Sequence, residues 1–125
     1  MSHMLSGQEQ EGLLEALDDE HRAWATYDQV IKDFGPVRPF INIRNAEARH
    51  IAAVTGLLQR YGLPVPANAW LGKVGHYASV KAACLDGVTA EIANAALYDR
   101  LMASTKRQDI LAVYRALQEA SQQRH

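Results

Sequence analysis

Apolar residues recur along this chain in steps of three and four, and four long segments carry that helical stripe. In the first, Leu13, Leu17, Glu20, Trp24, Tyr27, Ile31 and Phe34 share one face. In the second the face holds Phe40, Ile43, Glu47, His50, Val54, Leu57 and Tyr61, and in the third Cys84, Val88, Glu91, Ala95, Tyr98 and Met102. Ile110, Tyr114, Leu117 and Ser121 mark a fourth face, with Glu119 turned about 140° away from Tyr114.

Punctuation sets the ends of these elements. Ser6 is placed to cap a first helix that stops at Gly35-Pro36, Pro39 opens a second that Gly62 closes, and a fourth begins near Asp109. The third runs from about Ser79 to Ser104, with Gly87 inside it as a candidate kink. Residues 63–78 hold Pro64, Pro66, Gly72 and Gly75, a poor helix sequence and a long one for a connection. The short links make two antiparallel hairpins, and the long segment is a crossover that lays the third helix parallel to the second. The expectation is an all-α, antiparallel four-helix bundle spanning 1–125 as a single domain.

Charged residues interrupt the stripes where leucine would be expected. Glu20, Glu47, His50 and Glu91 occupy core positions of three different helices. A carboxylate withdrawn from water without compensation loses several kcal/mol in a domain stable by only about 5–15 kcal/mol. The stripes offer no Lys or Arg beside these positions, so a divalent cation is the expected compensation. The rival expectation is that the helices are rotated and these groups face water. Glu20 with Tyr27-Asp28 aligns with Glu91 and Tyr98-Asp99, so each odd helix carries an acid and, two turns on, a tyrosine. Two turns span about 10 Å, too far for one metal to take both, and the tyrosines become candidates for supporting the ligands.

Composition narrows the function classes. At 125 residues with 48% apolar residues the chain can bury a core, and a net charge of -1 gives neither a basic field for nucleic acid nor a cationic face for membranes. The single cysteine, Cys84, excludes an intrachain disulfide and a thiolate cage and is expected to be a buried thiol. No apolar run is long enough to span a bilayer. Residues 1–5, beginning Met1-Ser2-His3-Met4, read as an unstructured cloning remnant; the default compartment is then cytoplasmic, with a removed leader left open. His21 and His76 are expected at the surface, Trp70 is expected to anchor the crossover, and His76-Tyr77 to line an entrance.

The ligand pattern resembles that of the ferritin-like di-iron carboxylate proteins, such as ferritins and rubrerythrins: one Glu on each odd helix and Glu-x-x-His on the even ones. The stretches Ala46-Glu-Ala-Arg-His50, Arg60-Tyr-Gly-Leu-Pro-Val-Pro66, Ala90-Glu-Ile-Ala-Asn-Ala-Ala-Leu-Tyr-Asp99 and Ala120-Ser-Gln-Gln-Arg-His125 resemble a small prokaryotic branch of that superfamily. The resemblance implies Glu20 and Glu91 as terminal ligands, Glu47 as a bridge, and His50 and His125 as nitrogen ligands. Gln122 stands where a second bridging acid would be.

Three glutamates do not neutralise two divalent ions, so a hydroxide or oxide completes the charge, or the second ion binds weakly, or one ion binds alone with Gln122 as a neutral ligand or hydrogen-bond donor. Iron in two positions is the expected cofactor, with manganese, zinc or copper compatible with the donors. The function so implied is a non-haem di-iron oxidoreductase that reduces dioxygen or hydrogen peroxide, ferroxidase-like where ferrous iron is the donor. Trp24, Ile51 and Ile92 would form its apolar shell. A sequestering bundle without turnover and a metal-free interaction module are the alternatives, and a homodimer is compatible with either.

Overall fold

In a computed structural model that describes residues 4–122, the chain forms α1 (Gly7–Phe34), α2 (Phe40–Arg60), α3 (Val80–Met102) and α4 (Gln108–Gln122). The ends fall where their chemistry puts them. Ser6 Oγ accepts from the Glu9 amide at 3.1 Å while Glu9 Oε1 accepts from the Ser6 amide at 2.9 Å, a reciprocal capping box. Gly35, at φ 86°, ends α1 in a backbone conformation that side chains disfavour. Ser79 caps α3 through the Ala82 amide at 3.0 Å.

The capping acid also ties the two hairpins together. Glu9 accepts from Thr105 Oγ1 at 2.5 Å and pairs with Arg107 at 3.2 Å, in the link between α3 and α4. Although burial alone would raise its pKa, the bonds from Thr105, Ser6 and Arg107 hold it down at about 2. Ser6→Ala is expected to lower unfolding stability by about 1 kcal/mol, measured by urea denaturation.

Cross-helix contacts give the topology. Going up α1, Glu15, Asp19 and Glu20 meet Arg100, Asn94 and Tyr98 of α3 in broadly descending order, and Tyr27 meets Gly87, so α1 and α3 are antiparallel. Glu20 with His50 and Asp28 with Arg44 give the same sense for α1 and α2. The crossover travels along α1: Asn68 donates to the His21 carbonyl at 3.0 Å, Trp70 Nε1 donates to Asp18 at 3.0 Å, and His76 pairs with Asp33 at 2.6 Å. Chain leaving the end of α2 is thereby returned to the other end of the bundle, and α3 starts level with the start of α2. The architecture is a four-helix bundle of two hairpins joined by one long crossover, and Trp70 anchors that segment.

One core cluster gathers Leu13, Leu17, Val54, Leu58, Tyr98 and Tyr114; a second, around Tyr27 stacked on Phe40, lies toward the start of α2. Four expectations need correction. Leu5, assigned to the unstructured remnant, is buried in the first cluster, and the neighbouring Met4 carbonyl accepts from Arg107 at 2.7 Å. His21 is buried because Asn68 and the crossover lie over it, and burial lowers its pKa.

The other two corrections share a cause. Cys84 is exposed, and Ile92, expected in the apolar shell, is 69% exposed. α3 carries apolar residues nearly all the way round, so two rotations satisfy its periodicity. The inward stripe is Ala83, Gly87, Glu91, Asn94, Tyr98 and Leu101, with Glu91 and Tyr98 common to both. α3 is continuous through Gly87, and the Tyr27 hydroxyl lies 3.5 Å from where a Cβ would stand, an ordinary contact distance.

Candidate metal centre

Glu47 and His50 lie one turn apart on α2, so both project from one face toward α1. There they meet Glu20. His50 Nδ1 lies 3.3 Å from Glu20 Oε2 and 3.5 Å from Glu47 Oε2, and the three side chains offer ligand atoms that are all within 4.8 Å of one another. Glu20 is 1% and Glu47 2% exposed, and His50 is buried with them. Tyr98 reaches across from α3 to donate to the other oxygen of Glu20 at 2.7 Å. That bond leaves Oε2 turned toward the imidazole.

The electrostatics follow from crowding in a dry place. Burial and the neighbouring Glu47 push the Glu20 carboxyl up to about 8, against the pull of His50. Burial opposes charge on His50, yet the Glu20 and Glu47 carboxylates raise it to about 9. Burial and the same carboxylates raise the Tyr98 hydroxyl well above its ordinary value, so it stays a proton donor.

Two carboxylates and one imidazole within this span fit a divalent cation. Donors about 2.1 Å from one ion lie up to about 4 Å apart, so small side-chain rotations close the remaining distance. The structure therefore contains a buried Glu-Glu-His group that can hold a metal.

Glu91 does not join that group. It is buried on α3 and lines a cavity of about 70 Å³ together with Glu47, Tyr27, Asn94 and Ser121. Arg22 also borders the cavity, engaged with Asp19 at 2.6 Å. Tyr77 of the crossover also lines the cavity and is bonded through its hydroxyl to Asp86, while exposed His76 is held by Asp33.

The repeated Glu and Tyr pairs now have a geometric meaning. In the antiparallel register of α1 and α3, Tyr98 stands against Glu20, and Tyr27 stands beside Glu91 in the same cavity. Gln122 is exposed at the end of α4 and borders a cleft with Glu91, Ile92 and Ala95, outside the Glu20, Glu47 and His50 group. His125 lies outside the described residues. Of the expected shell, Trp24 and Ile51 are half-buried.

Sequence reading overlooked Asn94. It follows Glu91 by three residues on the inward face and donates to Asp19 at 3.0 Å. The Glu-x-x-Asn spacing would have revealed it once α3 was correctly rotated. Tyr98→Phe is expected to destabilise the protein by roughly 1–2 kcal/mol, because the buried Glu20 carboxyl loses its donor. Thermal unfolding at constant pH checks it.

A helical bundle with a buried carboxylate and imidazole cluster able to hold a metal is the class that fold and site define. Among solved structures, that of a hypothetical protein from Methanococcus jannaschii DSM 2661 is similar over 98% of this chain and 78% of that one, with a TM-score of 0.86 and 25% sequence identity. No family model and no curated protein matches the chain. Among the described residues no helix is long and apolar enough to cross a membrane.

Proposed function

We propose that this protein binds a redox-active transition metal, iron first, at Glu20, Glu47 and His50, and works as a non-haem oxidoreductase that reduces dioxygen or hydrogen peroxide. The convergence of three buried ligand atoms within 4.8 Å carries the reading. Hard carboxylate oxygens with one imidazole suit ferrous iron or manganese, and Glu91 across the adjoining cavity supplies a carboxylate for a second ion. When bound, iron would supply the one-electron chemistry that side chains lack.

The chain's own residues do the rest. Tyr98 fixes one oxygen of Glu20 and aims the other at His50. Burial of the three ligands limits water around them. Metal binding must displace the protons that Glu20 and His50 retain near neutrality, so uptake releases protons. Were ferrous iron the substrate, the balance would be two ferrous ions and two protons consumed per dioxygen, with two ferric ions and one hydrogen peroxide formed.

A non-catalytic reading has one observation in its favour: Glu91 and Gln122 stand apart from the three-residue group. A single tightly held ion without turnover would follow. Metal content per chain after anaerobic ferrous loading, followed by oxygen consumption on exposure to air, separates the two. About two irons with oxygen consumed supports the oxidoreductase. One ion and no oxygen uptake supports sequestration, and no bound metal at all defeats both.

A further inference from the structure

We propose that the outward face of α3 is a self-association surface, on which a second copy of this chain packs its own α3 antiparallel about a two-fold axis. This rests on the surface of α3 and is independent of whether the buried site holds metal. Lys81, Leu85, Val88, Ile92, Ala96 and Asp99 follow one another in steps of four, three, four, four and three, so they form one stripe, and all six are exposed. Leu85 is 63%, Val88 43% and Ile92 69% exposed, three large aliphatic side chains in succession on a helix whose opposite side is already in the core. A helix apolar on both sides is one that expects cover on both sides.

The ends of the stripe say what the cover is. Lys81 begins it and Asp99 ends it, about 27 Å apart at 1.5 Å per residue. In an antiparallel pair with the axis between Val88 and Ile92, Val88 faces the partner's Ile92 and Lys81 faces the partner's Asp99. By symmetry each ion pair forms twice. A parallel pair would instead set Lys81 against Lys81 and Asp99 against Asp99. Leu85 falls against the partner's Ala96, large against small. Asp99 already accepts from Gln118 at 2.9 Å through one oxygen, which leaves the other for the lysine.

Such a pair also explains where the bundle is thinly covered. A cleft of about 220 Å³ reaches Glu91 past Cys84 and Val88, and another of about 250 Å³ reaches it past Ile92 and Ala95. Each is lined by one residue of the stripe, Val88 in the first and Ile92 in the second, so a second α3 laid on it would pass beside both.

Sedimentation equilibrium of the protein at loadings from about 5 to 200 μM tests this, a range chosen for the micromolar affinity of a single helix pair. The expected result is a reversible dimer of the 13.8 kDa chain. Ile92→Glu should weaken it at least tenfold without altering the helical circular dichroism, because Ile92 is a surface side chain. Lys81→Glu and Asp99→Lys should each weaken the dimer, and the double charge swap should restore it. A monomer throughout, a dimer indifferent to Ile92→Glu, or a double swap that fails to recover would each overturn the proposal.

Discussion

Replacing Glu47 by glutamine is expected to weaken metal binding by at least about 100-fold while making the metal-free protein more stable above about pH 9, where His50 has lost its proton. Losing an outer hydrogen-bond partner of a ligand typically costs 10–100-fold in affinity, and Glu47 is a candidate direct donor, so its loss should exceed that range. The opposite effect on stability has the same origin. Glu47 is one cause of the raised pKa of Glu20, and once His50 has lost the proton that Glu47 helps it hold, an amide of equal volume removes a crowded buried charge without leaving a cavity. Equilibrium dialysis against cobalt or ferrous ion near neutral pH and thermal melts of the apo-protein at pH 10 measure the two halves. Unchanged metal content in the variant would place the metal elsewhere, and a lower apo melting temperature would mean that Glu47 holds the bundle together by itself.

Glu47 and His50 were legible in the sequence because i and i+3 on an amphipathic helix must share a face, and the flanking Phe40, Val54 and Leu57 say which face is inside. α1 and α4 were legible for the same reason, with apolar and polar positions clearly segregated. α3 was not. Its sequence offers Ala, Leu, Val and Ile on every side, so periodicity admitted both the true inward stripe and the one that carries Cys84 and Val88. Only packing against the neighbouring helices decides between them: Gly87 lies against Tyr27, whose hydroxyl is 3.5 Å from where a Cβ would stand.

Contacts between helices were also beyond the sequence. The bond from Tyr98 to Glu20 joins residues 78 apart and depends on the register between α1 and α3. That register is set by the crossover, which Trp70, Asn68 and His76 fasten along α1. A repeat of Glu and Tyr could suggest a partnership without saying that Tyr98 serves the acid of the other helix, or that Tyr27 shares a cavity with Glu91. Burial of His21 was missed on the same ground, since the residues covering it come from the crossover.

The metal-free protein is expected to lose stability as pH rises from about 6 to 9, by roughly 3 kcal/mol, or about 10 °C in melting temperature. Glu20 is raised to about 8 from an unfolded value near 4.5, so between those limits the folded chain binds more protons than the unfolded one. Its contribution is present at acid pH and fades through pH 8. His50 is raised to about 9 from 6.5, so the stability its proton confers is complete below 6.5 and is lost as pH climbs through 9. The two windows overlap between 6.5 and 8, where the slope should be steepest. An imidazolium held between the Glu47 carboxylate and the protonated Glu20 closes the site when no metal is there, and alkali removes both protons. Metal binding needs those same groups deprotonated, so the rise in melting temperature on adding metal should grow over the interval in which the apo-protein weakens. Glu20→Gln should flatten much of the apo slope. A wild-type apo melting temperature that stays level from pH 6 to 9 would mean that Glu20 and His50 titrate at ordinary values, and that the buried cluster does not carry the charge assigned to it.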